Sequence, residues 1–141
     1  MIVVGDEVRA AISAKQAVVA LESTIFSTLG LPAPANSEAL TRCSAAVRNA
    51  GAVPALTAVV DGVIWAGVPE EMQERVLSAS VKVAARDLGV ASAQRLPVGV
   101  TTVSASLAIA DQVGIEVFAT GGIGGVHRGS EISGDISADL D

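Results

Sequence analysis

Ala17-Val18-Val19-Ala20-Leu21-Glu22-Ser23-Thr24 sets five apolar residues against an abrupt polar exit. A run this short suits a buried strand. Polar residues directly beyond it stand where an open α/β sheet places its chemistry, at the carboxyl end of a strand. Working outward, Asp6 to Lys15 carries apolar positions at Val8, Ala11 and Ile12 and reads as a short helix leading into this strand. Downstream, Gly30-Leu31-Pro32-Ala33-Pro34-Ala35-Asn36 is a loop whose two prolines fix φ. Asn36 or Ser37 can cap the next helix, which runs through Ala39, Leu40, Cys43, Ala46 and Val47 and stops near Gly51.

Ala52 to Val60 reads as a second strand, with Pro54 confined to its edge or its opening. Asp61-Gly62 is a turn signal, so Val63-Ile64-Trp65 returns as a hairpin arm. Pro69-Glu70-Glu71 opens another helix with acidic residues in its first turn. Val81-Lys82-Val83-Ala84 fits a short strand or an irregular segment. Val98 to Ala110 is read as a turn at Gly99 and Thr101-Thr102, followed by a small-residue helix through Val103, Leu107, Ala108 and Ile109. Ile115 to Thr120 is a further strand and leads into a glycine-rich loop. The recurring order of strand, loop and helix predicts a layered α/β/α fold around a mainly parallel sheet. There is no internal repeat and no linker, so residues 1–141 read as one domain. Leu140-Asp141 lacks a clear cap or sequel, and the expectation is an amino-terminal portion with the sheet incomplete.

Composition bounds the function. The chain has 141 residues, half of them apolar and 17% charged, which speaks against wholesale disorder. Aromatics make up only 2%, so the core is built of Ala, Val, Leu and Ile. A net charge of -6 disfavours a nucleic-acid backbone binder, yet it leaves room for a local pocket for one phosphorylated metabolite. The longest apolar stretches fall short of the roughly 18 residues a membrane span needs, and the amino terminus has no leader pattern. A cytoplasmic protein with no nucleic-acid or membrane partner is expected. Cys43, the one cysteine, is read as a small buried hydrophobe.

Four places can carry chemistry. Glu22, at a strand exit, can be desolvated enough to act as a general acid; it can equally be a cap or a solvent-facing carboxylate. Lys82 can fix a phosphate as a point charge, form a Schiff base, or simply lie along the surface. Gly121-Gly122-Ile123-Gly124-Gly125-Val126-His127-Arg128-Gly129 lets backbone approach a ligand and presents amides to an anion. It matches neither the nucleotide P-loop nor the dinucleotide fingerprint, and a tight structural turn is its alternative. Glu131, Asp135, Asp139 and Asp141 supply oxygens suited to a hard divalent cation, or form a polar loop.

Together these residues resemble the pseudouridine-5'-phosphate glycosidase family, also called indigoidine synthase A-like. The resemblance is carried by Val19 to Thr24, Gly30 to Asn36, Gly51 to Ala55, Lys82 to Leu88, Thr101 to Ser106, Phe118 to Gly129 and Asp135 to Leu140. It spans nearly the whole chain in the family's order. It implies reversible cleavage of the C–C glycosidic bond of pseudouridine 5'-phosphate to uracil and ribose 5-phosphate, through a lysine imine and with a divalent metal, usually Mn2+. By motif, Glu22 is the implied proton donor, and Lys82, Val103, Ser137, Ala138 and Asp139 bind substrate. Asp135 is the implied metal ligand, and Gly121, Gly122, Gly124, Gly125 and His127 shape the site. Full-length members are expected to be homotrimers.

Two departures accompany the resemblance. Ser27-Thr28-Leu29-Gly30 replaces the family's Ser-His-Gly and so removes a histidine. The family's nucleophilic lysine belongs to a segment beyond Asp135-Ile136-Ser137-Ala138-Asp139. The alternatives to a complete glycosidase are therefore a catalytically inactive fragment binding a phosphate metabolite or metal, and one subunit of a split enzyme.

Overall fold

The computed structural model describes residues 1–140. Along the chain it forms β1 (Ile2–Val4), α1 (Asp6–Ser13), β2 (Val18–Leu21), α2 (Ala35–Asn49), β3 (Val53–Val60) and the hairpin arm β4 (Val63–Ala66). Next come α3 (Glu70–Leu77), β5 (Lys82–Val83), α4 (Leu88–Ala93), β6 (Val98–Thr101), α5 (Val103–Val113), β7 (Val117–Ala119) and the short α6 (Ser130–Ser133). All seven strands join one sheet. β1 with β4, β2 with β3, β2 with β7 and β5 with β6 are parallel, while β3 is antiparallel to β4 and to β6.

The alternation of β3 explains the layers, because successive strand side chains face opposite sides. Leu56, Ala58 and Val60 join Leu40 of α2 and Val76 of α3 in one core. Val53 and Ala55 pack with Val8 and Ala11 of α1 and Ala110 of α5. Val59 continues that second face against Leu88 and Ala91 of α4 and Ile109 of α5. Helices thus cover both sides of a largely parallel sheet, giving the expected α/β/α layering. No helix among the described residues is long and apolar enough to cross a membrane.

The position of the site follows from the way β2 and β6 share β3. β2 runs parallel to β3 and pairs with Val53 to Leu56. β6 runs antiparallel and pairs with Val60 back to Ala58. The two strands therefore run toward each other along β3 and meet at Thr57. The amide of Thr24 donates to the Thr101 carbonyl at 3.2 Å across this junction. A buried hydroxyl knot fills it. Thr57 Oγ1 lies 2.8 Å from Thr101 Oγ1, 2.9 Å from Ser106 Oγ and 3.1 Å from the Leu21 carbonyl oxygen. Ser23 Oγ accepts from the Thr101 amide at 2.8 Å. Each of these polar groups finds a partner, as burial demands.

Several sequence expectations need correcting. Gly99 lies inside β6, not in a turn; a Cβ there would meet Val83 Cγ2 at 2.5 Å and Leu96 Cδ2 at 2.7 Å, so the glycine serves close packing. Neither Asn36 nor Ser37 caps α2, since both lie within its first turn and Pro34 takes the cap position. Asn36 instead donates from Nδ2 to the Leu77 carbonyl at 3.1 Å, tying α2 to the end of α3. Cys43 is exposed on α2, not buried. β1 and α4 carried no sequence expectation.

Candidate active site

Four strand ends converge at the junction. β2 and β7 arrive side by side, with Leu21 opposite Ala119. β5 and β6 arrive from the other direction, with Val83 opposite Thr101. The first residue beyond β2 is Glu22, only 7% exposed, and the first beyond β7 is Thr120. The Thr120 hydroxyl hydrogen-bonds Glu22 Oε1. Behind Glu22, Ser23 is locked into the hydroxyl knot, and Thr24 Oγ1 donates to the Thr101 carbonyl at 2.9 Å. The carboxyl is therefore held by a segment that has little freedom to move.

Burial raises the Glu22 carboxyl above the usual carboxylate range. A donated Thr120 hydroxyl pulls it back, the charge of Asp139 pushes it up again, and the Lys82 ammonium lowers it. Upward influences prevail, the direction that helps a carboxyl keep a proton to give. Lys82 itself is exposed on β5, so its ammonium faces solvent while its field reaches Glu22.

The remaining candidates come from α5 and from the segment after β7. Asp139 accepts from the Ser104 amide at 2.9 Å and from the Gly124 amide at 3.3 Å, clamping the glycine loop onto the first turn of α5. Its burial raises the carboxyl, but these amides and the hydroxyls of Thr102 and Ser104 outweigh that and hold it below its ordinary value. Ser137 Oγ accepts from the Asp139 amide at 3.2 Å. The Ala138 carbonyl accepts from Ser104 Oγ at 3.3 Å. Val103 opens α5 with a buried side chain, which leaves its backbone as the part able to meet a ligand.

The glycines divide into two kinds. A Cβ on Gly124 would fall 1.9 Å from Ser137 Oγ, and one on Gly121 would lie 2.5 Å from Ile25 Cδ1. Those two allow close packing. Gly122 and Gly125 have open space where a side chain would be.

Asp135 and His127 lie on a short antiparallel excursion in which Val126 bridges Ile136. His127 Nδ1 lies 2.8 Å from Asp135 Oδ2, and both side chains are largely exposed. Among the described residues no three His, Cys, Asp or Glu side chains gather as a metal cage. One accessible carboxylate with water around it fits a hard divalent cation that keeps most of its own waters. Of the acidic candidates, Asp141 lies outside the described residues. Thr28, which stands near the position of the family histidine, donates from Oγ1 to the Ala79 carbonyl at 2.8 Å.

Glu22, Lys82, Asp139 and the glycine loop therefore share one neighbourhood. Asp135 and His127 stand at the more open end of the same segment. Sequence reasoning did not single out Thr120 or Ser104. Thr120 had the signal that marked Glu22, a polar residue directly after an apolar strand. Ser104 had none, because its role depends on Asp139, which is 35 residues away in sequence. A cavity of about 850 Å³ lies elsewhere, between the starts of α1 and α3 and the length of α2, and contains none of these candidates.

The family model described as indigoidine synthase A like protein matches residues 7–141. A pseudouridine-5'-phosphate glycosidase of Rhodospirillum centenum is 55% identical over 136 residues, covering 96% of this chain and 42% of the relative. One of Herpetosiphon aurantiacus is 48% identical over 141 residues, covering 99% and 46%. The crystal structure of the prealnumycin C-glycosynthase AlnA in complex with ribulose 5-phosphate superposes with a TM-score of 0.84 at 40% identity, over 99% of this chain and 45% of that one. An indigoidine synthase A-like protein from Thermotoga maritima gives a TM-score of 0.79 at 36% identity, over 89% and 41%. The chain thus spans less than half the length of each of these relatives.

Proposed function

The chain belongs to the family of indigoidine synthase A-like proteins, and on that premise we propose that it carries the proton-donating and substrate-binding part of a pseudouridine-5'-phosphate glycosidase site. The reaction is reversible cleavage of the C–C bond between ribose 5-phosphate and uracil. A carbon leaving group is poor, and a lysine imine at the sugar supplies the electron sink that hydrolysis lacks.

In this reading Glu22 gives a proton to the reacting substrate, and the observation that carries the proposal is its burial at the junction beside Thr120. Lys82 attracts the substrate phosphate as a point charge. The backbone of Val103 and the Ser137-Ala138-Asp139 segment border the same space, and Gly122 and Gly125 leave it open. Asp135 would hold a divalent metal, Mn2+ by family expectation, which supplies positive charge for an anionic substrate. A solved relative holding a sugar phosphate supports this substrate class.

The placement of the lysines favours a half-site. The chain has two: Lys15 precedes β2, at the far end of that strand from Glu22, and Lys82, on β5, is the one assigned to the phosphate. The nucleophile in this proposal comes from a further segment, continuous with this one or separate, and these 141 residues bind ligand without turning it over alone. Full-length assembly as a homotrimer and a cytoplasmic setting belong to the same proposal.

Two assays test it. Calorimetry should show ribose 5-phosphate binding that weakens about tenfold or more in Lys82→Ala. Product analysis with pseudouridine 5'-phosphate and Mn2+ should show no uracil above a Glu22→Ala control. Uracil release above that control would overturn the half-site reading. Absence of ribose 5-phosphate binding by the folded chain would overturn the substrate assignment.

A further inference from the structure

Thr120 brings one proton to two acceptors. Its Oγ1 hydrogen-bonds Glu22 Oε1 and lies 2.8 Å from the Gly122 carbonyl oxygen, while the Gly122 amide donates to it at 3.1 Å. A hydroxyl has one proton and two acceptor lone pairs. With Glu22 ionised, that proton serves either the carboxylate or the carbonyl, and the other oxygen faces a lone pair. With Glu22 protonated, every position is filled. Glu22 O–H donates to Thr120, Thr120 donates to the Gly122 carbonyl, and the Gly122 amide takes the second lone pair. Such a chain is mutually reinforcing.

We propose that Thr120 is a proton-positioning residue, a hydroxyl rotor that accepts from Glu22 while the carboxyl holds its proton and turns to donate once that proton has left. This rests on the reading of Glu22 as proton donor. The balance is simple. The Glu22 O–H bond breaks, the proton passes to the substrate, and the electron pair stays on the carboxylate. Thr120 keeps its own proton throughout and changes only the acceptor, from the Gly122 carbonyl to Glu22. The rotor thus orients the acid's proton before transfer and stabilises the anion after it. The Gly122 backbone bonds Thr120 as both donor and acceptor, and this fixes the oxygen while its hydrogen turns. The charges whose fields reach Glu22 are Asp139, which favours the loaded state, and Lys82, which favours the discharged one.

The test is a carboxyl-carbon NMR titration of Glu22 in the ligand-free 141-residue chain and its variants. In Thr120→Val the carboxylate loses a charge-assisted donor, a larger loss than the neutral bond given up by the acid. The midpoint should therefore rise by about one pH unit, a tenfold gain in proton affinity, and Thr120→Ser should restore it. Thr120→Cys, with only a weak donor, should rise in the same direction and serves if the valine variant does not fold. An unmoved midpoint in a folded valine or cysteine variant, or a serine variant that moves as far, would overturn the rotor. No substrate is needed, so the outcomes separate. A shifted midpoint without sugar-phosphate binding removes only the proposed function, whereas binding without a shift removes only the rotor.

Discussion

The two halves of the site are built by opposite means. On the β2–β6 side, Ser23, Thr57, Thr101 and Ser106 have no exposed surface and bond one another across long stretches of chain. On the other side, residues 120–140 are mostly exposed and place Ile123, Val126, Ile132 and Ile136 in solvent. That segment is tied down by Asp139 and by the His127–Asp135 pair. The difference shows how one site can combine rigidity with access. Glu22, the proposed acid, sits on the rigid half, where a small displacement would cost a proton transfer most. The carboxylate assigned to metal, Asp135, sits on the open half, while Lys82, assigned to phosphate, stands exposed on β5 beside β6.

The contrast breaks most visibly if the knot is cut. Thr57→Val keeps the shape but removes the central hydroxyl and leaves buried acceptors without a donor; it should cost roughly 2–3 kcal/mol of global stability, read from urea unfolding. Asp139→Asn should cost less globally, about 1–2 kcal/mol. Its effect should be local, with faster amide exchange at Ser104 and Gly124 than in β3. If both variants lower the whole molecule equally, the two halves form a single cooperative unit and the contrast fails.

Acidity sharpens the same comparison, since the two carboxyls respond with opposite sign. Glu22 is raised in the folded state, so its contribution is present below its unfolded value and is lost as pH rises through its folded value. Asp139 is lowered, so its contribution is present above its unfolded value and is lost as pH falls through its folded value. Stability should therefore peak in mildly acid solution. Glu22→Gln should flatten the decline above the ordinary carboxylate range, and Asp139→Asn the decline below it. The smallest effect is expected from His127→Gln, an exposed pair whose loss should shift unfolding by less than about 0.5 kcal/mol.

Much of this was legible beforehand. The β2 run, the Asp61-Gly62 turn and the acidic start of α3 are local signals, and each element formed where its pattern stood. The ordered motifs identified the family, and the strand-exit rule pointed to Glu22, which the fold buries directly beyond β2. What escaped depends on distant partners. Gly99 looks like a turn until Val83 and Leu96 are seen pressing on it from neighbouring segments. Cys43 follows the apolar pattern of α2, yet the sheet reaches only as far as the stripe through Leu40. β6 reads in the sequence as a turn and not as a strand, and its direction could not be read either, because nothing local tells a strand which way its neighbour runs.

The meeting of β2 and β6 along β3 also acts as a gauge of length. β3 has eight residues and the two strands that share it have four each, so their combined extent is set by a third strand that neither can alter. One residue inserted into β2 would push Leu21 level with Thr57, into the place of Thr101, and one deleted would open a gap under Glu22. A library of single-residue insertions and deletions should find these strands closed to change, while the loop from Gly30 to Pro34 accepts it. The fold carries its own ruler, and Glu22 is the mark it measures to.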